Sequence, residues 1–491
     1  MIKADLQKLN TQRAIKQSSS RYVFRTCCAI LLTIMFSASF FYVWLEFVEE
    51  HNQTGHLLGL ANLLMAVLIY GGISILLFNW LGGYRIGVYR KMNIVASQIS
   101  GLFLLNIAEI FVSMAITGQF RFFFDFLWRY ALLFVVQSVA DVIVTDVMVN
   151  VYRKMFPPFR LLEVYDKHEG YAKVLPQKLN SMQYKYDVSA GIRFDVPQEK
   201  LISEMLKYDA ILINDLPAEQ EKTMLKLCFA MNKRVYYVPK ISDILVKSSG
   251  ELNQFDSPLY YRRNMPMNSW ERMWKRFFDL LFSALALLLL SPLLGVVALA
   301  IKLEDGGSVF FRQERCTIGG EIFSILKFRS MIEDADKAGE VHPAEDEDPR
   351  ITKVGRFIRK FRIDELPQLI NILKGDMSIV GPRPERLEHI EMYTKQIPEF
   401  CFREKVKGGL TGYAQVYGKY NTSALDKLKM DLIYIVNYSI LLDIQIIFET
   451  VRVLFSKEST EGFGEEQTWY GEEQGEEGQV KKEHVGEGRT Q

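Results

Sequence analysis

Long apolar runs fill the first third of the chain. Thr26 to Leu45 and Leu57 to Leu81 contain no charged residue, and at 1.5 Å per residue each is long enough to cross about 30 Å of hydrocarbon. Met92 to Thr117 follows with one acid, Glu109, and Phe122 to Val149 carries Arg129, Asp141 and Asp146 among its apolar positions. Four transmembrane helices are predicted over residues 1–156, their polar groups facing neighbouring helices or the interfaces. No small-residue cleavage site follows the first run, so a cleaved signal peptide is not expected.

The period then shortens. Arg160 to Tyr165, Tyr186 to Val188, Ala210 to Ile213 and Arg234 to Val238 read as strands separated by helical periods, which predicts a small doubly wound, Rossmann-like α/β domain over 157–250. Its first strand runs into Asp166-Lys167-His168-Glu169-Gly170, without the G-x-G-x-x-G that lets backbone approach a pyrophosphate. A structural or regulatory spacer is expected there.

Phe277 to Leu303 is apolar again, with Ser291-Pro292 in its middle and Lys275-Arg276 and Lys302 at its flanks. Proline removes a backbone donor and clashes with the preceding turn, and basic residues at both ends favour one side of a membrane. A re-entrant helix-break-helix is expected, in preference to a fifth span. Leu425 to Tyr438 and Ile440 to Phe455 mix apolar residues with Lys427, Lys429 and Arg452; periodicity fits interfacial helices and ordinary core packing equally. Residues 457–491, rich in Glu and Gly, read as an acidic disordered tail whose deletion should spare catalysis.

Charge sets the orientation. Basic residues precede the first run (Lys3, Lys8, Arg13, Lys16, Arg21), separate the second from the third (Arg85, Arg90, Lys91) and follow the fourth (Arg153, Lys154). All three places are predicted to be cytoplasmic. Lys plus Arg (59) nearly equals Asp plus Glu (58), so no basic field marks a nucleic-acid binder. Five scattered cysteines form neither a C-x-x-C pair nor a disulfide ladder, and the six histidines have no metal-ligand spacing.

Candidate chemistry gathers late in the chain. Lys327-Phe328-Arg329-Ser330-Met331 reads as a basic strand end, followed by a loop of acids and prolines from Glu340 to Pro349 and a basic helix from Val354 to Arg362. That helix runs into Ile363-Asp364-Glu365-Leu366-Pro367, where Pro367 favours a first turn with the two acids at its amino end. Either acid could simply cap the helix. Beyond it, Gly381-Pro382-Arg383-Pro384 holds one arginine extended between two prolines, which suits bidentate contact with phosphate.

The Ser291-Pro292 hairpin, the K-F-R-S-M string at 327–331, R-I-D-E-L-P-Q at 362–368, D-M-S-I-V-G-P-R-P at 376–384 and Gly409-Leu410-Thr411-Gly412 together resemble the bacterial polyprenyl-phosphate phosphoglycosyl transferases. The likeness covers about residues 270–456, and the front end resembles the large form of that family, which initiates exopolysaccharide, capsule or O-antigen units. One departure is the middle domain's missing glycine-rich turn, which argues against nucleotide regulation there.

The resemblance implies a membrane protein of the bacterial inner membrane with a mainly α, monotopic catalytic domain over 265–456, facing the cytoplasm, and a homodimer. It implies transfer of a sugar-1-phosphate from a UDP-sugar to undecaprenyl phosphate, releasing UMP through an aspartyl-phosphosugar intermediate. Asp364 would be nucleophile and Mg²⁺ ligand, Glu365 its partner, and Arg383, Arg362, Lys327 and Arg329 the phosphate clamps. Two other readings are a catalytically silent membrane scaffold for polysaccharide assembly and a transporter built on the intramembrane charges. Retention of all the charged motif positions argues against the scaffold, and four spans with a large soluble half against the transporter.

Overall fold

The computed structural model describes residues 2–51, 60–167, 171–182, 184–252, 259–261, 266–332, 348, 350–418 and 422–454. The acidic tail and nearly all of the 340–349 loop lie outside the described residues. The chain divides into two compact units between Pro239 and Lys240.

The first unit opens with four long helices, α1 (Ile2–His51), α2 (Leu60–Leu81), α3 (Lys91–Thr117) and α4 (Phe123–Met155). Each is long and apolar enough to cross a membrane. Their shared core is aromatic: Phe36, Phe40, Trp44, Tyr70, Phe78, Phe126 and Tyr130 are all buried, and Phe40 stacks on Tyr70 with ring centroids 4.3 Å apart. The polar residues do turn toward neighbouring helices. Asn106 and Tyr70 both donate to Gln137 Oε1, at 3.1 and 3.0 Å, and Thr145 donates to Gln98 at 3.0 Å. Glu109 and Asp141 are fully buried, Arg129 pairs with Asp125 and Glu50, and Lys91 pairs with Asp146. These hydrogen bonds and ion pairs satisfy groups for which hydrocarbon offers no partner, whereas the carboxylate oxygens of Glu109 and Asp141 have no hydrogen-bond partner among the described residues.

An α/β layer follows: β1 (Phe159–Tyr165), α5 (Tyr171–Asn180), β2 (Tyr186–Arg193), α6 (Gln198–Met205), β3 (Ala210–Asn214), α7 (Ala218–Ala230) and β4 (Arg234–Tyr237). All four strands are parallel, in the order β2-β1-β3-β4. Central β3 is buried along its whole length, which explains its unbroken Ala-Ile-Leu-Ile run.

The second unit begins with α8 (Ile241–Lys247), ten residues before the domain boundary expected at 250, because Ile244 packs into the C-terminal core with Phe400, Leu428 and Leu432. A hairpin, β5 (Gly250–Leu252) and β6 (Leu259–Tyr261), leads to α9 (Ser269–Asp305). Asn268 caps α9 in a capping box with Glu271, and Gly306 ends it in the left-handed conformation. The remaining elements are β7 (Phe310–Cys316), β8 (Ile322–Phe328), α10 (Lys353–Lys360), α11 (Gln368–Lys374), β9 (Ser378–Val380), α12 (Leu387–Gln396), β10 (Gly409–Thr411), α13 (Tyr413–Tyr417), α14 (Ala424–Val436) and α15 (Ile440–Leu454). β7 and β8 pair antiparallel, β9 and β10 parallel.

One expectation is corrected here. The segment 277–303 is not interrupted in its helical secondary structure at the expected break: α9 runs through Ser291 and Pro292 as one helix of 37 residues, with the proline inside it. Pro292 cannot donate to the carbonyl of Leu288, one turn back, but the Ser291 hydroxyl does so at 2.8 Å. The lost backbone bond is replaced locally and the helix continues.

Both ends of α9 are held by the same folded unit. Lys275 donates to the Val380 carbonyl and to Asp443, Arg276 to the carbonyls of Ile372 and Leu373, and Asp279 accepts from Ser378 and the Ile379 amide. At the far end, Glu304 accepts from the amides of Lys353 and Val354, and Asp305 pairs with Arg329. Between these anchors the outer face is apolar and exposed, through Leu281, Leu285, Leu288, Leu289, Val296 and Leu299. Of the two C-terminal helices left undecided by periodicity, α14 is core, with Leu428, Leu432, Tyr434 and Ile435 buried, while α15 is more open, burying Ile446 and exposing Leu441 and Val451.

Candidate active site

Asp364 and Glu365 occupy a short 3-10 turn, Ile363–Glu365, between α10 and α11. The chain enters it through Arg362, whose φ of +54° lies in the left-handed region. A side chain there costs about 1–2 kcal/mol, and the residue turns the chain out of α10 into the 3-10 turn that carries the two acids. Pro367 sits at the cap of α11 with helical backbone angles, as its position in the sequence led us to expect.

The two carboxylates are in unlike surroundings. Glu365 Oε1 accepts from Arg383 at 2.6 Å and from Lys327 at 3.3 Å. Burial opposes its ionisation, but the charges of Arg383 and Lys327 and the arginine hydrogen bond outweigh that cost, holding its carboxyl well below the usual range. Asp364 has no hydrogen-bond or ion-pair partner among the described residues. Burial and the adjacent Glu365 charge push its pKa up, against the pull of Lys327, Arg359 and Arg383. One acid is locked as an anion in a salt-bridged network, and its neighbour keeps a free carboxylate.

Lys327 comes from β8, whose hairpin register sets it opposite Phe311. Asn371 of α11 fixes that strand, accepting from the Leu326 amide at 2.9 Å and donating to the Ser324 carbonyl at 2.9 Å. Arg383 comes from the loop after β9, and two pairs of hydrogen bonds hold that loop. Arg403 donates to the Arg383 carbonyl and Arg315 to that of Pro384, at 2.9 and 3.1 Å. The Gly381 amide donates to Thr411 and the Gly409 amide to Pro382. Side chains at Gly381, Gly409 or Gly412 would strike the opposing backbone, which is why glycines recur in both strings.

Two guanidinium groups that hold this loop, Arg403 buried and Arg315 half-buried, were not anticipated from sequence. Arg403 bonds Asp431 at 2.7 Å and lies 3.6 Å from Glu385. Burial would raise the Glu385 carboxyl, yet His389, Arg403 and Lys427 hold it at about 2. Arg315 has no acidic ion-pair partner among the described residues, and burial together with Arg383 brings it down to about 10. The contacts named for them span from 18 to 69 positions along the chain, so no local motif announces them.

Of the expected clamps, Lys327 and Arg383 reach Glu365. Arg362 is exposed at the start of the turn and adds to the positive field on Glu365. Arg329 goes elsewhere: it is buried against Gly307 and pairs with Asp305 at the end of α9. Ser291 and Pro292 lie in the middle of α9. No cluster of three or more His, Cys, Asp or Glu that could hold a metal occurs among the described residues. The free Asp364 carboxylate nonetheless fits a hard cation that takes one or two protein oxygens and keeps its waters.

Comparison with known proteins bears on the same half of the chain. A family model described as bacterial sugar transferase matches residues 270–457. UDP-N-acetylgalactosamine-undecaprenyl-phosphate N-acetylgalactosaminephosphotransferase of Aeromonas hydrophila is 37% identical over 266 residues, 53% of this chain and 60% of that one. UDP-glucose:undecaprenyl-phosphate glucose-1-phosphate transferase of Escherichia coli K12 is 45% identical over 200 residues, 40% of this chain and 42% of that protein. A protein of the same name from Caulobacter vibrioides is 42% identical over 190 residues, 38% of this chain and 71% of its own length. The chain thus spans about half the length of the first two relatives. These relatives are named as undecaprenyl-phosphate sugar phosphotransferases, and the acids, lysine and arginine described above fall within the residues that the family model matches. The chain belongs to the bacterial sugar transferase family.

Proposed function

We propose that the chain transfers a sugar-1-phosphate from a UDP-sugar to undecaprenyl phosphate and releases UMP, the first membrane step of an exopolysaccharide or related surface polymer. The observation that carries this reading is the division of labour in the dyad, a free Asp364 carboxylate beside a Glu365 clamped by Arg383 and Lys327. An Asp364 oxygen attacks the sugar-bearing phosphorus, the bond from that phosphorus to the bridging oxygen breaks, and UMP leaves with the electron pair. An oxygen of undecaprenyl phosphate then attacks the same phosphorus and Asp364 is regenerated.

Attack of one anion on another needs screening, and Arg383 and Lys327 supply fixed positive charge at the site. Asp364 is also the residue that would hold Mg²⁺, which when bound neutralises charge on the diphosphate. The first two relatives differ in the sugar they are named for, N-acetylgalactosamine and glucose, so the hexose is left to experiment.

The membrane reading has its own support. Four apolar helices precede the α/β layer, and the fifth, α9, is held at both ends by one soluble unit. A helix so anchored, bending at Pro292 where helices kink, enters and leaves on one face more readily than it crosses, which keeps the dyad on the cytoplasmic side with the nucleotide-sugar. The four-stranded layer fits a Rossmann-like spacer, without a glycine-rich loop.

The test is UMP release by membranes containing the full chain, given undecaprenyl phosphate, Mg²⁺ and a panel of UDP-sugars. Release with at least one sugar is expected, lost in Asp364→Asn and on chelation of the metal. Full release by Asp364→Asn would reject this residue as nucleophile, and no release with any donor from folded protein would favour the scaffold reading.

A further inference from the structure

We propose that the exposed face of α10 docks on anionic phospholipid headgroups and thereby sets the height of the acidic dyad over the bilayer. Lys353, Arg356, Phe357, Lys360 and Phe361 are spaced i, i+3, i+4, i+7 and i+8, which aligns them in one stripe continuing into the residue after the helix. All five are exposed, Phe357 at 58% and Phe361 at 53%, with ring centroids 5.1 Å apart. Lys353, Arg356 and Lys360 make no ion pair among the described residues, so their charge is presented outward.

Two observations commit this face to lipid. The opposite side of α10 packs on α9, through Ile358 against Val297 and Ile301. The first amides of α10 are held by Glu304 of α9, at 2.8 and 3.3 Å. The stripe therefore begins where the long apolar helix ends, the depth at which aromatic rings and basic side chains favour the headgroup layer. At its other end, three residues past Phe361, stands Asp364. Three cations without an ion-pair partner among the described residues, beside two exposed rings, match an anionic, half-apolar surface.

The inference rests on the membrane placement of α9, and the experiment separates the two. The full chain is placed in vesicles of equal parts phosphatidylcholine and phosphatidylglycerol, with a benzophenone amino acid replacing either Phe357 or Leu289, an exposed residue of α9. After irradiation both positions are expected to carry lipid adducts, with phosphatidylglycerol favoured at 357 alone. Lys353→Gln, Arg356→Gln and Lys360→Gln should each lower that preference by about fivefold. Lipid at 289 but not at 357, a label at 357 indifferent to headgroup, or capture of a protein at 357 would each overturn the proposal while sparing the membrane reading. No lipid at either position would overturn both.

Discussion

Arg383 donates to Glu365 Oε1 at 2.6 Å, while Asp364, next to it in the chain, has no such partner among the described residues. Two adjacent acids on one turn are thereby made chemically different by what faces them. The arginine that fixes Glu365 is itself fixed from beneath by Arg403, so the charge arrangement is preorganised and reorganises little during reaction.

Arg383→Lys keeps the charge but loses the planar fork that contacts Glu365 and would face a phosphate. We expect kcat/KM for the UDP-sugar to fall about 10²-fold with the thermal midpoint nearly unchanged. Steady-state UMP release checks this, and a loss below tenfold would remove Arg383 from the transition-state contacts.

On the function proposed above, the acid limb of the rate profile should report Asp364, which as nucleophile would have to be ionised. Burial and the Glu365 charge raise its pKa, so activity should rise with pH through a midpoint above that of an ordinary aspartate. Glu365→Gln removes the neighbouring negative charge and should move the limb to lower pH. Lys327→Met removes a positive charge and should move it to higher pH. Opposite displacements in kcat/KM against pH are the expected outcome, and equal displacements would assign the limb to another group.

Much of this organisation is legible in the sequence because it is written in hydrophobic period and local spacing. The four apolar helices, the strands at 159–165 and 210–214 and the acids ahead of Pro367 all follow from runs of a few residues. What was missed depends on partners distant in the chain or on a single hydroxyl. Arg329 adjoins Lys327 in one motif, yet the end of α9 offers it Asp305, 24 positions away. Arg403 reads as one cation in a charged stretch, and only the fold brings Asp431 to it. Ser291 gives no hydrophobic signal at all.

The Arg403 and Asp431 pair is nearly excluded from water, with side-chain exposures of 8% and 1%. Breaking such a pair costs up to about 3–5 kcal/mol, and less here because Glu385 remains 3.6 Å from Arg403. Asp431→Asn should lower the unfolding midpoint of the C-terminal unit markedly in a detergent melt. It should also depress activity in the surviving folded fraction, because Arg403 holds the Arg383 carbonyl.

Helical continuity across Pro292 gives the last prediction. The Leu288 carbonyl has lost its backbone donor and takes the Ser291 hydroxyl instead. Ser291→Ala should therefore cost about 1–3 kcal/mol, the cost of an unsatisfied acceptor in apolar surroundings. Pro292→Ala returns an N–H to the position from which Leu288 is normally served, so Ser291→Ala made in that background should cost little. A double-mutant cycle on thermal unfolding would then give a coupling of about 1 kcal/mol or more between the two positions. Strict additivity would mean that the hydroxyl is not replacing the missing amide, and that α9 tolerates Pro292 for another reason.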